Sequence, residues 1–361
     1  MGLRYALIGC GSIALNHFTA ALNNGLDISG LCDIDVHSVK SLTEKACFYG
    51  AAAAYTDYRA MLREAQPELV AITTDNGNHA RIALDCIEAG CHVIVEKPIA
   101  LSLKDADAVI AAGRERGVCV CASHQNRFNA SVQMMRSAIG AGRMGRLLYG
   151  TTHVRWNRGQ EYYAKAPWRG TWAQDGGMLV NQCIHHIDLL LWLMGGKATE
   201  VFAYTDNLSH QYIETEDMGL ALVKFAGGAY GVIEGTTDVF PRNLEETLYV
   251  FGEKGTMKAG GKALSRIEEW RFEDGLDDDE ALNALNGEGW LIAGHTALYA
   301  DVLRAIRTKT RPLADGEAGR CALELALAIH KSASEGRPVC LPLTDFSVED
   351  IMGHFKQRAE E

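Results

Sequence analysis

Arg4-Tyr5-Ala6-Leu7-Ile8 is an apolar run that passes directly into Gly9-Cys10-Gly11-Ser12-Ile13-Ala14, and the residues from about Ala14 to Asn23 have helical character. A strand that must become a helix within six residues needs a tight turn, and the glycines supply it while letting the backbone approach a ligand closely. The helix N-terminus that follows presents unpaired N–H groups and partial positive charge, the two properties a pyrophosphate requires. A second strand, Ile28 to Cys32, delivers Asp33 nineteen residues after Ala14. An acid there accepts hydrogen bonds from an adenosine ribose and repels a 2′-phosphate. Asp33 and Asp35 have no Lys or Arg beside them. The expected cofactor is therefore a nicotinamide dinucleotide, NAD in preference to NADP.

The pattern continues. A helix is expected over Lys40 to Gly50, and Tyr55 to Tyr58 leads into another. Strand Leu69 to Thr73 opens the loop Thr74-Asp75-Asn76-Gly77-Asn78-His79, helix Ala80 to Glu88 stops at Gly90, and strand His92 to Val95 ends at Glu96-Lys97-Pro98. A helix over Lys104 to Arg116 and a strand over Val118 to Ala122 complete the series. Such alternation predicts a doubly wound (Rossmann) parallel sheet over residues 1–123. Pro98 cannot donate to a central ladder, so strand His92 to Val95 must stop and leave Lys97 at the carboxyl rim, where open α/β sheets bind ligands.

The second half changes rhythm. Leu147 to Arg155, Glu200 to Thr205, Met218 to Phe225, Ala229 to Thr236 and Thr247 to Phe251 alternate with period two, with Gly227-Gly228 as a hairpin turn. Helices are expected over Val132 to Ile139, Leu298 to Ile306 and Gly319 to Ser334, and a short strand over Val339 to Leu343. The prediction is an α+β domain, 124–345, with a large, mostly antiparallel open sheet, then a helical tail, 346–361. The acidic run Glu273 to Glu280 is a solvated loop.

A formal net charge of −11 over 361 residues argues against nucleic acid or an anionic membrane as the main partner. The first strand leaves no room for a secretory leader, and no apolar run reaches membrane-spanning length. The expectation is a cytoplasmic protein. None of the ten cysteines forms a C-x-x-C pair and most lie in apolar runs, so they read as reduced, buried thiols rather than bridges or metal ligands.

Gly176-Gly177 precedes Met178 to Leu190, which reads as one helix with Ile184, Ile187, Leu190 and Leu191 on an apolar stripe. Asn181 and His185, four apart, share a face and can offer an amide and a titratable imidazole to one molecule. A single buried histidine is more often a core residue, so this pair gains weight only beside Lys97. His186 and Asp188 read as structural. A His185/His186/Asp188 metal site is not expected, because successive helical residues point in different directions.

Taken together, G-x-G-x-x-A with Asp33, Glu96-Lys97-Pro98, and Gly176-Gly177 with Asn181 and His185 resemble the Gfo/Idh/MocA oxidoreductases, from Arg4 to about Leu343. The resemblance implies a dehydrogenase in which Lys97 and His185 flank the substrate carbinol, and a homo-dimer or homo-tetramer built through the open sheet. It implies cofactor contacts at Gly9, Gly11, Ser12, Ile13, Asp33, Thr73, Asn76, His79, Glu96, Lys97 and Gln125. Gln125-Asn126-Arg127-Phe128-Asn129, Trp168-Arg169-Gly170-Thr171-Trp172, Asn181-Gln182 and Phe251 to Thr256 are similar to the branch of UDP-N-acetylglucosaminuronate 3-dehydrogenases. That likeness would set Arg127 against a substrate carboxylate, Trp168-Arg169 near the cofactor or a neighbouring subunit, and Asn157 and His295 in the substrate pocket. Inositol-acting relatives carry an aspartate where this chain has Asn181.

The chemistry implied is hydride transfer between a secondary alcohol of a sugar or sugar derivative and the nicotinamide. His185 would take the hydroxyl proton, with Lys97 stabilising the oxygen; a desolvated lysine can also serve as the base, so the roles are exchangeable. The alternatives are an inositol, polyol or simple aldose dehydrogenase, and a non-catalytic NAD-binding sensor.

Overall fold

The computed structural model describes residues 2–48, 50, 52–276, 282, 290–344 and 346–355. They divide into two compact units, one of 1–100, 104–128 and 291–320, the other of 101–103, 129–290 and 321–361.

The first unit holds six parallel strands: β1 (Arg4–Ile8), β2 (Asp27–Cys32), β3 (Ala53–Tyr55), β4 (Leu69–Ile72), β5 (His92–Val95) and β6 (Val120–Ala122). Their order is β3-β2-β1-β4-β5-β6, the doubly wound arrangement expected. β4 is wholly buried and β5 nearly so, as strands covered on both faces must be. Helices α1 (Ala14–Asn23), α2 (Val36–Lys45), α3 (Tyr58–Ala65), α4 (His79–Glu88) and α5 (Leu103–Arg116) connect them. The helix expected over 40–50 begins earlier because the Asp35 carboxylate caps it, accepting from the His37 N–H. Strand β3 was not anticipated, since three residues with two alanines carry no periodic signal.

Residues 291–320, read from sequence as part of the second domain, belong to this first unit. A buried polar chain explains how helix α10 (Trp290–Thr308) is held there. Tyr5 and Tyr299 share a hydroxyl–hydroxyl bond of 2.9 Å. Tyr299 Oη is 2.9 Å from His17 Nδ1, and His17 Nε2 is 2.8 Å from Glu96 Oε1. His295 Nε2 lies 4.0 Å from the same carboxylate oxygen. Burial pushes the Glu96 pKa up, but the hydrogen bond and charge of His17, with the charges of Lys97 and His295, outweigh it and hold the carboxyl well below its usual range.

The second unit carries an eight-stranded sheet of β7 (Leu147–Arg155), β8 (Ala198–Asp206), β9 (Met218–Phe225), β10 (Tyr230–Thr236), β11 (Glu245–Gly252), β12 (Gly255–Gly260), β13 (Arg266–Phe272) and β14 (Val339–Cys340). The order is β13-β12-β11-β7-β10-β9-β8-β14, antiparallel except for the β7–β10 pair. Period-two alternation sorts the faces: Val201, Ala203, Ala221, Val223 and Phe225 are buried, while Tyr204, Leu220, Leu222 and Tyr230 are exposed. Helices α6 (Ala130–Gly140), α7 (Gln160–Tyr163), α8 (Met178–Asn181) and α9 (Ile184–Leu193) belong here, with α11 (Gly316–Glu335) from Cys321 onward. β12 and β13 were not anticipated. The helix expected from Met178 is broken at Gln182-Cys183.

The start of α8 is set by tertiary contacts. Gly177 adopts φ +94°, and a Cβ there would lie 2.4 Å from Glu216 Oε2. Glu216, fully buried, accepts from the Leu179 N–H at 2.8 Å and pairs with His330 Nε2 at 2.9 Å, so a carboxylate caps α8. All ten cysteines are free thiols. No helix among the described residues is long and apolar enough to cross a membrane. Of the acidic run, 277–280 lie outside the described residues, as do 356–361 of the tail; the tail's described part is a short 3₁₀ turn, Val348–Ile351, with a Ser347/Asp350 capping box.

Glu96→Gln removes a buried charge from its partners and should lower stability at neutral pH by roughly 3 kcal/mol. Because the folded carboxyl is held below its unfolded range, its contribution is present above about pH 4 and is lost as pH falls further, so the difference between wild type and variant should shrink in acid. Denaturant unfolding across pH reads both effects. Gly177→Ala should cost at least the roughly 1–3 kcal/mol of a strained backbone region, read as a lower unfolding midpoint.

Candidate active site

The Gly9 to Ala14 loop is built from two glycines with different tasks. Gly9, at φ +94°, packs so closely on Thr73 that a Cβ would lie 2.7 Å from its backbone. At Gly11 a Cβ would meet nothing within 4 Å, leaving an open backbone surface. That surface lines a cleft of about 620 Å³ with Cys10, Ser12, Leu15, Asp35 and His37. Asp33 closes the arrangement: Oδ2 accepts from the Cys10 N–H at 2.7 Å and Oδ1 from the Asp35 N–H at 2.9 Å. The loop is thus braced by the acid expected to read the ribose. An uncovered glycine backbone at a helix start, with a carboxylate at the next strand end, fits a dinucleotide.

Other residues expected at the cofactor hold the rim. Thr73 Oγ1 donates to the Gly9 carbonyl, with Ile8 O at 3.2 Å. Asn76 is buried in the 3₁₀ turn Asn76–Asn78. His79 Nδ1 is 2.7 Å from Pro98 O and Nε2 is 3.2 Å from Thr74 O, so the ring ties the β4 loop to the segment after Lys97. Burial pulls its pKa down, partly offset by the Pro98 carbonyl. Lys97 is half-buried directly after β5, its N–H donating to Glu96 Oε2 at 3.2 Å. Gln125 is buried in the 3₁₀ turn Gln125–Phe128, with Oε1 lacking a hydrogen-bond partner.

Two expected substrate residues also fall in the first unit. Arg127 is 7% exposed and donates from Nη1 to Leu313 O at 2.8 Å. His295 is fully buried, its ring 5.0 Å from that of His17.

In the second unit, Asn181 and His185 sit on consecutive short helices, α8 and α9, rather than on one. The Asn181 Nδ2 donates to Asp175 Oδ1, whose other oxygen accepts from the Gly170 N–H at 2.7 Å, so a buried acid sets which way the amide points. His185 is half-buried, whereas His186 is buried with Nε2 3.3 Å from Glu246 and Asp188 is buried. Trp168 and Arg169 fold over Tyr162: the guanidinium carbon is 4.6 Å from the Trp168 ring and 4.3 Å from that of Tyr162. Asn157 donates from Nδ2 to Val239 O at 2.8 Å. Sequence reasoning missed His17 and Tyr299; nothing in a helix-face histidine or a core tyrosine separates a network member from ordinary packing.

Family models match two segments: residues 3–124 as "Oxidoreductase family, NAD-binding Rossmann fold", and residues 132–258 as "GFO/IDH/MocA C-terminal domain". The WlbA dehydrogenase from Bordetella pertussis, solved in complex with NADH and UDP-GlcNAcA, is 36% identical with a TM-score of 0.87, over 95% of this chain and 98% of that one. The WlbA dehydrogenase from Chromobacterium violaceum, solved with the same two ligands, is 37% identical with a TM-score of 0.86, over 95% and 96%. The 2,7-anhydro-N-acetylneuraminate hydratase of Mediterraneibacter gnavus is 28% identical over 79% of this chain and 84% of its own length. The chain belongs to the Gfo/Idh/MocA family and is an oxidoreductase with an NAD-binding Rossmann domain.

Proposed function

We propose that the protein is an NAD-dependent sugar dehydrogenase whose substrate is a UDP-linked N-acetylated uronic acid, oxidised at a ring secondary alcohol. The observation that carries this is the 36–37% identity, across 95% of the chain, with two dehydrogenases solved with NADH and UDP-GlcNAcA. Asn181, in the position where inositol-acting relatives hold an aspartate, favours this reading over an inositol dehydrogenase, and the presence of both Lys97 and His185 favours it over a sensor.

Oxidation of a carbinol breaks a C–H and an O–H bond and forms a carbonyl. When bound, NAD accepts the hydride. His185 takes the hydroxyl proton, and Lys97 stabilises negative charge developing on the same oxygen. Asn181, oriented by Asp175, hydrogen-bonds a neighbouring group of the ring. Glu96 accepts from the Lys97 N–H and keeps a negative charge near its ammonium.

A second copy of the chain is proposed to cover the sheet face carrying Tyr204, Leu220, Leu222 and Tyr230. Tyr204 pairs with Leu220 across the ladder and Leu222 lies two residues along the same face, while Tyr230 stands opposite Lys224 on the neighbouring strand.

Lys97→Met and His185→Ala should each lower kcat by roughly 10²–10⁴ with UDP-GlcNAcA, while NADH binding followed by fluorescence stays intact. If both variants keep wild-type turnover, the roles assigned here are wrong. Leu222→Glu should shift the light-scattering mass in size-exclusion chromatography toward the 39.3 kDa monomer.

A further inference from the structure

Among its described residues, the second unit contains a cluster of hydrogen-bond donors and positive charge that the neighbouring side chains leave partly unmatched. At its centre is Tyr162, on α7. Arg169 donates from Nη1 to the Tyr162 hydroxyl, and Gln182 donates from Nε2 to the same oxygen at 3.1 Å. A hydroxyl that accepts twice has only its own proton left to give. Arg158, just past β7, places its guanidinium carbon 5.2 Å from the Tyr162 centroid and 4.5 Å from that of Trp156. Two guanidinium groups therefore rest against one aromatic ring.

Like charges this close, in half-buried positions, ordinarily have carboxylates beside them. Neither does here. Arg158 donates from Nη1 to Asn157 O at 2.7 Å and Asn243 Oδ1 at 3.0 Å, both neutral acceptors. Arg169 bonds the tyrosine hydroxyl, and its buried Nε has no partner. Trp156 Nε1 is likewise a buried donor without a partner. The acids nearby are otherwise engaged: Asp175 with Asn181 and Gly170, and Glu214 with the Trp172 N–H at 3.2 Å. By contrast Arg155, three residues before Arg158, is held by Glu234 and Glu245.

We propose that Arg158 and Arg169, with the Tyr162 hydroxyl between them, form a substrate subsite for an oxyanion, and that its occupant is the carboxylate or the diphosphate of a sugar-nucleotide acid. Guanidinium forks match the planar, bidentate acceptor geometry of a carboxylate and bind phosphate equally well. The aromatic rings stack both cations in place, so little side-chain freedom remains to be lost on binding. Gln182 joins this cluster to α8 and adjoins Asn181 in sequence, which links the subsite to the residues assigned to the reacting carbinol. The inference rests on the proposed function only for the identity of the occupant; the donor excess is a property of the site itself. It moves the anion contact from Arg127, which bonds a backbone carbonyl in the first unit, to Arg158 and Arg169.

The test is calorimetric binding to the NADH-saturated enzyme, which cannot oxidise the sugar, of four probes: UDP-GlcNAcA, UDP-GlcNAc, free N-acetylglucosaminuronate and N-acetylglucosamine. It is run on wild type, Arg158→Met, Arg158→Lys and, as a control, Arg146→Met, whose guanidinium pairs with Glu253 elsewhere. Methionine keeps the stacking bulk and removes the charge; lysine keeps the charge and removes the fork. Arg158→Met should weaken the anionic probes roughly tenfold to a hundredfold, with Arg158→Lys intermediate. A loss confined to the two uronates identifies the carboxylate, and an equal loss for UDP-GlcNAc identifies the diphosphate. Unchanged affinities in Arg158→Met, or a wild type that binds anionic and neutral sugars alike, overturn the proposal. Turnover of UDP-GlcNAcA by the wild type is scored separately. Its absence together with charge-dependent binding would sink the proposed reaction and leave the subsite standing.

Discussion

A carboxylate buried beside an imidazole is the constraint on which the first unit turns. Glu96 ends the strand that delivers Lys97, and His17 meets it from the first helix at 2.8 Å. Taking such a charge out of water costs several kcal/mol unless partners compensate, so the pair stands only if helix, strand and hydroxyls arrive together. Tyr299 completes the set from a segment more than two hundred residues away, which is why a late helix belongs to the nucleotide-binding unit. The same interaction that anchors the fold fixes the backbone and the electrostatic surroundings of Lys97.

The second unit uses a different device for a similar end. Glu216 occupies the space a side chain at position 177 would need, caps the short helix above it and is itself held by His330. The glycine at 177 is a consequence of that carboxylate. Asp175 then sets the Asn181 amide, while Arg158 and Arg169 rest on the Tyr162 ring with no carboxylate paired to them among the described residues. Buried polar groups carry specificity here because each is costly if its partner is missing.

Much of the architecture was legible from local pattern. The boundaries of β7 and β9 emerged from period-two alternation alone, and the glycine fingerprint with Asp33 located the cofactor loop. Elements without a strong period escaped: β3 is three residues long, and β12 and β13 alternate too weakly to stand out. The start of α2 lies earlier than the sequence pattern indicates because Asp35 caps the helix, a role that its neighbours in sequence do not signal. Residues with identical local signals also diverged. Arg127 and Arg158 both look like loop arginines, yet one bonds a backbone carbonyl and the other sits on aromatic rings.

Sequence alone determined the succession of strands and helices, the dinucleotide loop and the candidate pair Lys97 and His185, because periodicity, glycine placement and a strand-ending proline act over a few residues. Only the tertiary structure decided that residues 291–320 join the first unit, that the Asn181–His185 helix is broken, and which of the described arginines pair with carboxylates. Those outcomes depend on which distant polar groups meet out of water, and the energy of a buried charge is set by neighbours that no local pattern names.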